Sequence, residues 1–331
     1  MNILITGIHG FVGSNLVVAI KKQHTIYGLD IVSPRKDGVV KTYGWHELEQ
    51  IPSVDVIIHL AGKAHDTKNQ NNAQIYFDIN TGLTQKIFDW FLKSNASKFI
   101  FFSSVKAAAD QVEGEILTED VVPTPKGPYG ESKILAEQYI QNQLPSIRFA
   151  TQGADSPPQR VDELRTSDKK AYILRPCMIH GPGNKGNLNL LYQIQQKGLP
   201  WPLGAYENKR SFCAIDNLIY TVQQLVEKDI EPGIYQVADD EALSTNELIR
   251  IMADSQHKKA RLWHIPIGLI KIIARTGDFL HLPLNSERLQ KLTETYVVSN
   301  QKLKIALGIE NMPVSAKEGL KKTLASFDRK Q

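Results

Sequence analysis

The sequence predicts an α/β protein: a doubly wound parallel sheet with a smaller, mostly helical C-terminal lobe. Three observations carry this. Short apolar runs alternate with amphipathic runs of helical period through the first half of the chain, the pattern of repeated βαβ units. The runs are too continuously apolar for a sheet with one wet face, so both faces must be covered, as parallel strands require. A glycine-rich turn follows the first run and opens directly onto a helical one.

Taken in order, "NILIT" reads as a strand, Phe11 to Lys22 as a helix, and "TIYGLD" and "VDVIIHLA" as strands. Ile75 to Leu92 is a helix, "KFIFFSS" a strand, Tyr129 to Gln143 a helix and "AYILRP" a strand. Between Leu144 and Lys170 the periodicity dissolves around Pro157 and Pro158, which predicts a surface excursion. After Pro176 the chain is rich in Gly, Pro and Asn as far as Arg210, then resumes with helical "DNLIYTVQQLVEKD" and strand-like "GIYQVAD". The expected division is therefore a sheet unit over 1–176, completed by about 212–238, and a lobe from 177–211 and 239–331. A final amphipathic helix is expected over Ala316 to Phe327. The apolar stretch Ile265 to Ile273, in "IPIGLIKIIARTG", is too short to span a bilayer. It reads as a core helix, with a membrane-surface role as the alternative.

Composition narrows the function classes. Of 331 residues, 42% are hydrophobic and 22% charged, enough apolar content for a large core. The net charge of +4 comes from 39 Lys and Arg mixed among 35 Asp and Glu, without the basic block that nucleic acid requires. Cys177 and Cys213 form no CxxC pair, and the nine histidines fall in no HExxH or carboxylate cluster. Disulfide and metal chemistry are thus not expected, and a reducing cytoplasm is. The start of the chain lacks the features of a signal peptide.

In "ITGIHGFVGSNL", Gly7, Gly10 and Gly13 sit between strand and helix. There glycines permit a tight turn, close backbone approach to a pyrophosphate, and close packing of helix on sheet, with the helix N-terminus facing the anion. The next strand ends in Asp30, about 20 residues on, where a carboxylate accepts hydrogen bonds from an adenine ribose. Asp30 favours NAD; Arg35, as a cation for a 2'-phosphate, keeps NADP as the alternative.

"YGESK" sets Tyr129 and Lys133 one helical turn apart. Oxidising a secondary alcohol needs a base for the hydroxyl proton beside the hydride acceptor. Tyrosine's ordinary pKa of about 10 must fall by about three units for that, roughly 4 kcal/mol of preference for the phenolate, which a nearby ammonium can supply. "FIFFSSVKAAAD" offers a hydroxyl at the C-terminal end of a buried strand, where open α/β sheets hold ligands. A Walker phosphate loop is excluded, because "GPYGESK" has Glu-Ser-Lys where Gly-Lys-Ser/Thr is required.

These motifs together, TGxxGxxG, "HLAG" at 59–62 and YxxxK at 129–133, resemble the extended short-chain dehydrogenase/reductase family, specifically its nucleotide-sugar epimerases and dehydratases. The resemblance implies a Rossmann fold, with Ser104 as the catalytic hydroxyl, Tyr129 as general acid/base and Lys133 as the ribose-binding lysine. It also implies cofactor contacts from Phe11, Val12, Leu60, Ala61, Gly62 and Asn80. Further segments, "HLAGKAH", "SSVK", "GPYGESKILAEQ" and "GNLNLLYQIQQKGLPWPLGAYENKRSFCAIDNL", are similar to a bacterial subgroup of 4-epimerase-like proteins associated with surface-polysaccharide synthesis. By that likeness Lys63 and His65 lie beside nicotinamide and substrate diphosphate, Lys106 and Met178 near the sugar, and Asn187 and Arg210 at the nucleotide diphosphate. The chain departs from the family at Ala107, Ala108 and Ala109, where relatives carry Val-Tyr-Gly, and at His180, where they carry Tyr. The implied activity is an NAD-dependent 4-epimerase of UDP-sugars, acting as a homodimer. A 4-keto reductase of a UDP-4-keto-6-deoxy sugar and a non-catalytic dinucleotide-binding regulator are the alternatives.

Overall fold

The computed structural model describes residues 1–64, 73–144, 168–184, 187–280 and 285–328. Seven strands form one sheet: β1 (Asn2–Thr6), β2 (Thr25–Leu29), β3 (Lys41–Tyr43), β4 (Val56–His59), β5 (Lys98–Phe102), β6 (Lys170–Pro176) and β9 (Gly233–Val237). Their order is β3-β2-β1-β4-β5-β6-β9 and every pair is parallel. Succession reverses between β1 and β4, and at such a switch point the loops diverge and leave a crevice beyond the strands' C-terminal ends.

Register brings those ends level. Thr6 pairs with both Leu29 and His59, His59 with Phe101, Phe102 with Leu174, and Pro176 with Val237. The residues that follow, Gly7, Asp30, Leu60 and Ser103, consequently share one edge of the sheet.

The apolar runs are explained by burial on both faces. On one, Ile3, Ile5, Ile58 and Ile100 pack with Leu16, Val17 and Ile20 of helix α1 (Phe11–Ile20). On the other, Leu4, Ile57, Phe99 and Phe101 pack with Ile87, Phe88 and Phe91. These three lie on α3 (Leu83–Lys93), which continues α2 (Gln74–Tyr76) through a π-helical segment at Phe77–Gly82. Short α4 (Val105–Ala108) follows β5, and α5 (Gly127–Gln143) adds Ala136 and Ile140 to the second face.

Beyond β6 lie the two-stranded parallel pair β7 (Met178–His180) and β8 (Phe212–Ala214). The helices there are α6 (Asn187–Gln196), α7 (Ile215–Glu227), α8 (Thr245–Ser255), α9 (Ile267–Leu280), α10 (Ser286–Thr293), α11 (Gln301–Leu307) and α12 (Ala316–Asp328). Helix α7 covers the first face of the main sheet through Leu218, Val222 and Leu225. Helix α8 begins with a capping box between Ser244 and Glu247, which satisfies its free N–H groups.

Two sequence expectations need correction or limit. "IPIGLIKIIARTG" is helical but not a core helix: Ile267, Leu269, Ile272 and Ile273 are exposed and only Ile270, Ala274 and Gly277 of α9 are buried. Most of the predicted excursion, 145–167, lies outside the described residues.

Candidate active site

The turn after β1 is closed around its glycines. Gly7 has φ +65, a left-handed conformation that L side chains resist, and a β-carbon there would stand 2.8 Å from the Ala61 backbone nitrogen. A β-carbon at Gly13 would stand 2.7 Å from the Gly7 carbonyl oxygen. The turn therefore holds α1 and the loop after β4 against one another, while the helix N-terminus at Phe11 and Val12 opens toward the crevice. Asp30 directly follows β2, with Oδ2 accepting from His9 N at 3.0 Å and Oδ1 from Ile31 N at 2.7 Å. Two accepted bonds leave a carboxylate lone pairs for a diol. Arg35 is exposed; the cation that turns inward is Lys36, whose Nζ donates to Ser14 Oγ at 2.8 Å. Burial lowers the Lys36 pKa while the Asp30 charge opposes that shift.

Ser104, Tyr129 and Lys133 converge at the same edge. Ser104 caps α4, its Oγ accepting from Lys106 N at 3.2 Å, and its hydroxyl hydrogen-bonds the Tyr129 phenol. Burial raises the phenol's pKa above its ordinary value, the Ser104 bond opposes the rise and Tyr76 adds to it. The Tyr76 ring meets the Tyr129 ring edge-on, centroids 6.4 Å apart. The expected downward pull on Tyr129 by Lys133 is thus not the governing influence in the protein alone. Lys133 is itself buried, which pushes its pKa down to about 8 against the raising effect of Glu137. Its Nζ donates to the Phe102 carbonyl at 2.8 Å and would lie 3.1 Å from a β-carbon at Gly62. A side chain at Gly62 would thus crowd the ammonium and the Asn80 amide.

Asn80 is fully buried and holds this geometry. Its Oδ1 accepts from Lys63 N at 2.8 Å, and its Nδ2 donates to Lys63 O at 3.1 Å and to Ser132 Oγ at 3.0 Å. One amide ties the loop after β4 to α5. The π-helical segment that carries it is an irregularity of the kind found at functional sites.

Several contributors escaped the sequence reading. His59, at the end of β4, has Nδ1 2.6 Å from Thr6 Oγ1 and Nε2 2.9 Å from Thr84 Oγ1; burial and the Lys133 charge push its pKa down to about 3. Glu137 lies one turn beyond Lys133 and forms a fully buried ion pair with Arg175, whose Nε and Nη2 approach its carboxylate at 3.0 and 2.6 Å. Ser103 donates to the same carboxylate. The spacing 129, 133, 137 was the available signal, since all three fall on one helix face.

The residues assigned to substrate are more dispersed. Lys106 reaches the Asp110 carbonyl at 2.7 Å and carboxylate at 3.1 Å and sits over the Tyr296 ring. The Lys63 ammonium lies 5.7 Å from the Tyr76 ring centre. Met178 is half-buried and packs against the cluster of Leu188, Tyr192 and Phe212. Arg210 pairs with Glu294 at 3.6 Å, and its backbone is bridged to Leu243 and Tyr296. Asn187 opens α6, and His65 lies outside the described residues. Among the described residues no group of His, Cys, Asp and Glu could hold a metal ion.

Residues 3–151 match the model of the NAD dependent epimerase/dehydratase family. Over that segment the chain is similar to this enzyme family. The similarity extends beyond it: the chain is 28% identical over 344 residues to a UDP-glucose 4-epimerase of Vibrio cholerae, covering 98% of this chain and 95% of that one. It is 26% identical to an N-acetyl-alpha-D-glucosaminyl-diphospho-ditrans,octacis-undecaprenol 4-epimerase of Escherichia coli O157:H7, over 81% of this chain and 76% of the relative. Among solved structures, MoeE5 in complex with UDP-glucose and NAD superposes with TM-score 0.73 at 17% identity, covering 100% of this chain and 99% of that one. A UDP-glucose 4-epimerase of Thermotoga maritima with UDP-glucose superposes with TM-score 0.71 at 20% identity, over 100% and 99% of the chains. These structures share the fold.

Proposed function

We propose that this protein is an NAD-dependent 4-epimerase of UDP-sugars, acting through a transient 4-keto sugar. The observation that carries the reading is the convergence of Ser104, Tyr129 and buried Lys133 at the edge of the sheet where the glycine turn opens. A dinucleotide fits the residues present. Gly7, Gly10 and Gly13 close a tight turn in which a β-carbon would meet the Ala61 or Gly7 backbone, Asp30 keeps acceptor capacity for a ribose, and Gly62 leaves the Lys133 ammonium room. Leu60, Ala61 and Asn80 belong to the same cradle. Bound there, the nicotinamide supplies the hydride acceptor and donor that epimerisation needs.

The chain's own residues manage the proton. Tyr129 takes it from the sugar hydroxyl and returns it, while Ser104 hydrogen-bonds the reacting oxygen as its charge changes. Lys133 holds the cofactor ribose and adds positive charge beside the phenol. With the phenol above its ordinary pKa in the protein alone, the positive charge brought with the cofactor is what favours the phenolate. Lys63, His65, Lys106, Met178 and Asn187 are proposed to line the sugar diphosphate. Arg210 would exchange its Glu294 partner for phosphate, where its fork binds two oxygens. In this reading the sheet unit over 1–176 with 212–238 holds cofactor, and 177–211 with 239–331 holds substrate. The protein works in the cytoplasm as a homodimer paired through two helices per subunit, one of them α5, on which Leu135 is exposed; its product serves surface-polysaccharide synthesis.

Incubating purified protein with UDP-glucose, UDP-galactose or their N-acetyl forms, without added cofactor, is expected to interconvert each C4 pair by proton NMR. Failure with all of them overturns the reading. Similarity to a GDP-6-deoxy-D-mannose reductase of Pseudomonas aeruginosa, 23% identical over 270 residues, supports a second reading as a 4-keto reductase. Stoichiometric NAD(P)H consumption with a 4-keto sugar nucleotide would select it.

A further inference from the structure

We propose that Arg261, Trp263 and the outer face of α9 dock this protein on an anionic lipid bilayer. Helix α9 is anchored on one side only, where Ile270 and Ala274 pack with Trp201, Leu203, Ile249 and Leu289. At helical spacing, Leu269, Ile272, Ile273, Phe279 and Leu280 then share one arc of about 120° facing away from that anchor. All five are exposed, Ile272 to 61% and Phe279 to 83%. So large an apolar stripe on a helix surface marks an interaction site.

Charge selects the occupant. From Ser255 to Gly277 the chain carries Lys258, Lys259, Arg261, Lys271 and Arg275 and no acidic residue. Lys271 and Arg275 border the apolar arc, where long basic side chains can lie along it and reach outward. Arg261 and Trp263 flank half-buried Leu262 in an extended segment fixed by Trp201 N to Arg261 O at 2.8 Å and Trp263 N to Trp201 O at 2.9 Å. Alternation along that segment turns both outward, and Trp263 is 56% exposed. Lys258, Lys259 and Arg261 also line an open hollow of about 210 Å³ with Gln195 and Gly198. Asp278, the next acid along, is committed to Ser286, whose backbone N–H it receives at 2.9 Å.

A second copy of the chain on this face would bring like basic rims together, because a two-fold contact pairs the same patch with itself. An anionic bilayer offers acyl chains to the stripe and phosphate to the rim, the combination an interfacial amphipathic helix uses. None of the described helices is long and apolar enough to cross the membrane, so attachment is at the surface.

The test is flotation of the full chain with phosphatidylglycerol/phosphatidylcholine vesicles and with pure phosphatidylcholine vesicles at low and high salt. Binding is expected to the anionic vesicles, weakened by salt, with a blue shift of Trp263 emission. The variants Ile272→Glu/Phe279→Glu and Lys271→Glu/Arg275→Glu should each lower the bound fraction by about tenfold or more. The distant pair Lys317→Glu/Lys321→Glu should leave it unchanged. Circular dichroism and turnover of a soluble UDP-sugar report that each variant is folded, and vesicle binding is read whether or not turnover is seen. The proposal is overturned if the parent chain fails to float with anionic vesicles, or if the stripe variant floats as the parent does. It is equally overturned if the distant pair abolishes binding, or if the stripe variant splits a dimer while neither form binds lipid.

Discussion

At the scale of single residues, the site rests on a phenol and an ammonium that burial moves in opposite directions. Tyr129 is pushed above its ordinary value and Lys133 down to about 8. Tyr129→Phe removes the proposed proton carrier alone, so kcat should fall by about 10²-fold or more with the circular dichroism spectrum unchanged. Lys133 also leaves a signature in stability. An ammonium whose folded pKa of about 8 lies below its ordinary 10.5 opposes folding fully at low pH and ceases to do so as pH rises through that interval. Wild type should therefore gain stability relative to Lys133→Met between about pH 8 and 10.5 in urea titrations. A constant difference across that range would show that the lysine is not desolvated. Both positions were legible in "YGESK", whereas the direction of the Tyr129 shift was not, because desolvation depends on what packs around the ring.

At the scale of elements, the loop after β4 and helix α5 are held together by Asn80. Replacing Asn80 with Ala takes the partner from both half-buried Lys63 backbone groups and one partner from the buried Ser132 hydroxyl, which keeps its bond to the Tyr129 carbonyl. It should cost about 1–3 kcal/mol of unfolding free energy and weaken NAD binding in calorimetry. An Asn80→Ala protein as stable as wild type would show that the clamp is idle. Asn80 could be placed near the cofactor by resemblance, but its work as a clamp could not be seen. Its partners are 17 and 52 residues away. The strands were legible because burial on both faces writes continuous apolar runs. Strands β7 and β8, of three residues each, carry too little pattern to stand out.

At the scale of the whole molecule, β5, β6 and α5 are joined through Ser103, Arg175 and Glu137 in the interior. A charge pair at 0% exposure is strongly coupled to folding, since removing one partner leaves the other charged and dry. Arg175→Met should lose about 3–5 kcal/mol in urea unfolding, and Arg175→Met/Glu137→Met should recover part of that loss. A loss in the double variant equal to the sum of the Arg175→Met and Glu137→Met losses would mean that the pair does not interact. The same scale decides the fate of "IPIGLIKIIARTG". Its apolar content suggested a core, yet the neighbouring helices cover only the Ile270 and Ala274 side.

The sequence by itself determined the parallel α/β architecture and the glycine turn, and it singled out Asp30, Ser104, Tyr129 and Lys133 as candidates. Periodicity, glycine spacing and motif order are local properties that survive in one dimension. Only the tertiary structure decided that Lys36 rather than Arg35 turns inward toward α1, and that Glu137 pairs with Arg175. It alone decided that Asn80 clamps two elements and that the outer face of α9 is left bare. Each of these depends on which distant segment arrives at a side chain, and hence on burial and partner distance, which no local pattern encodes.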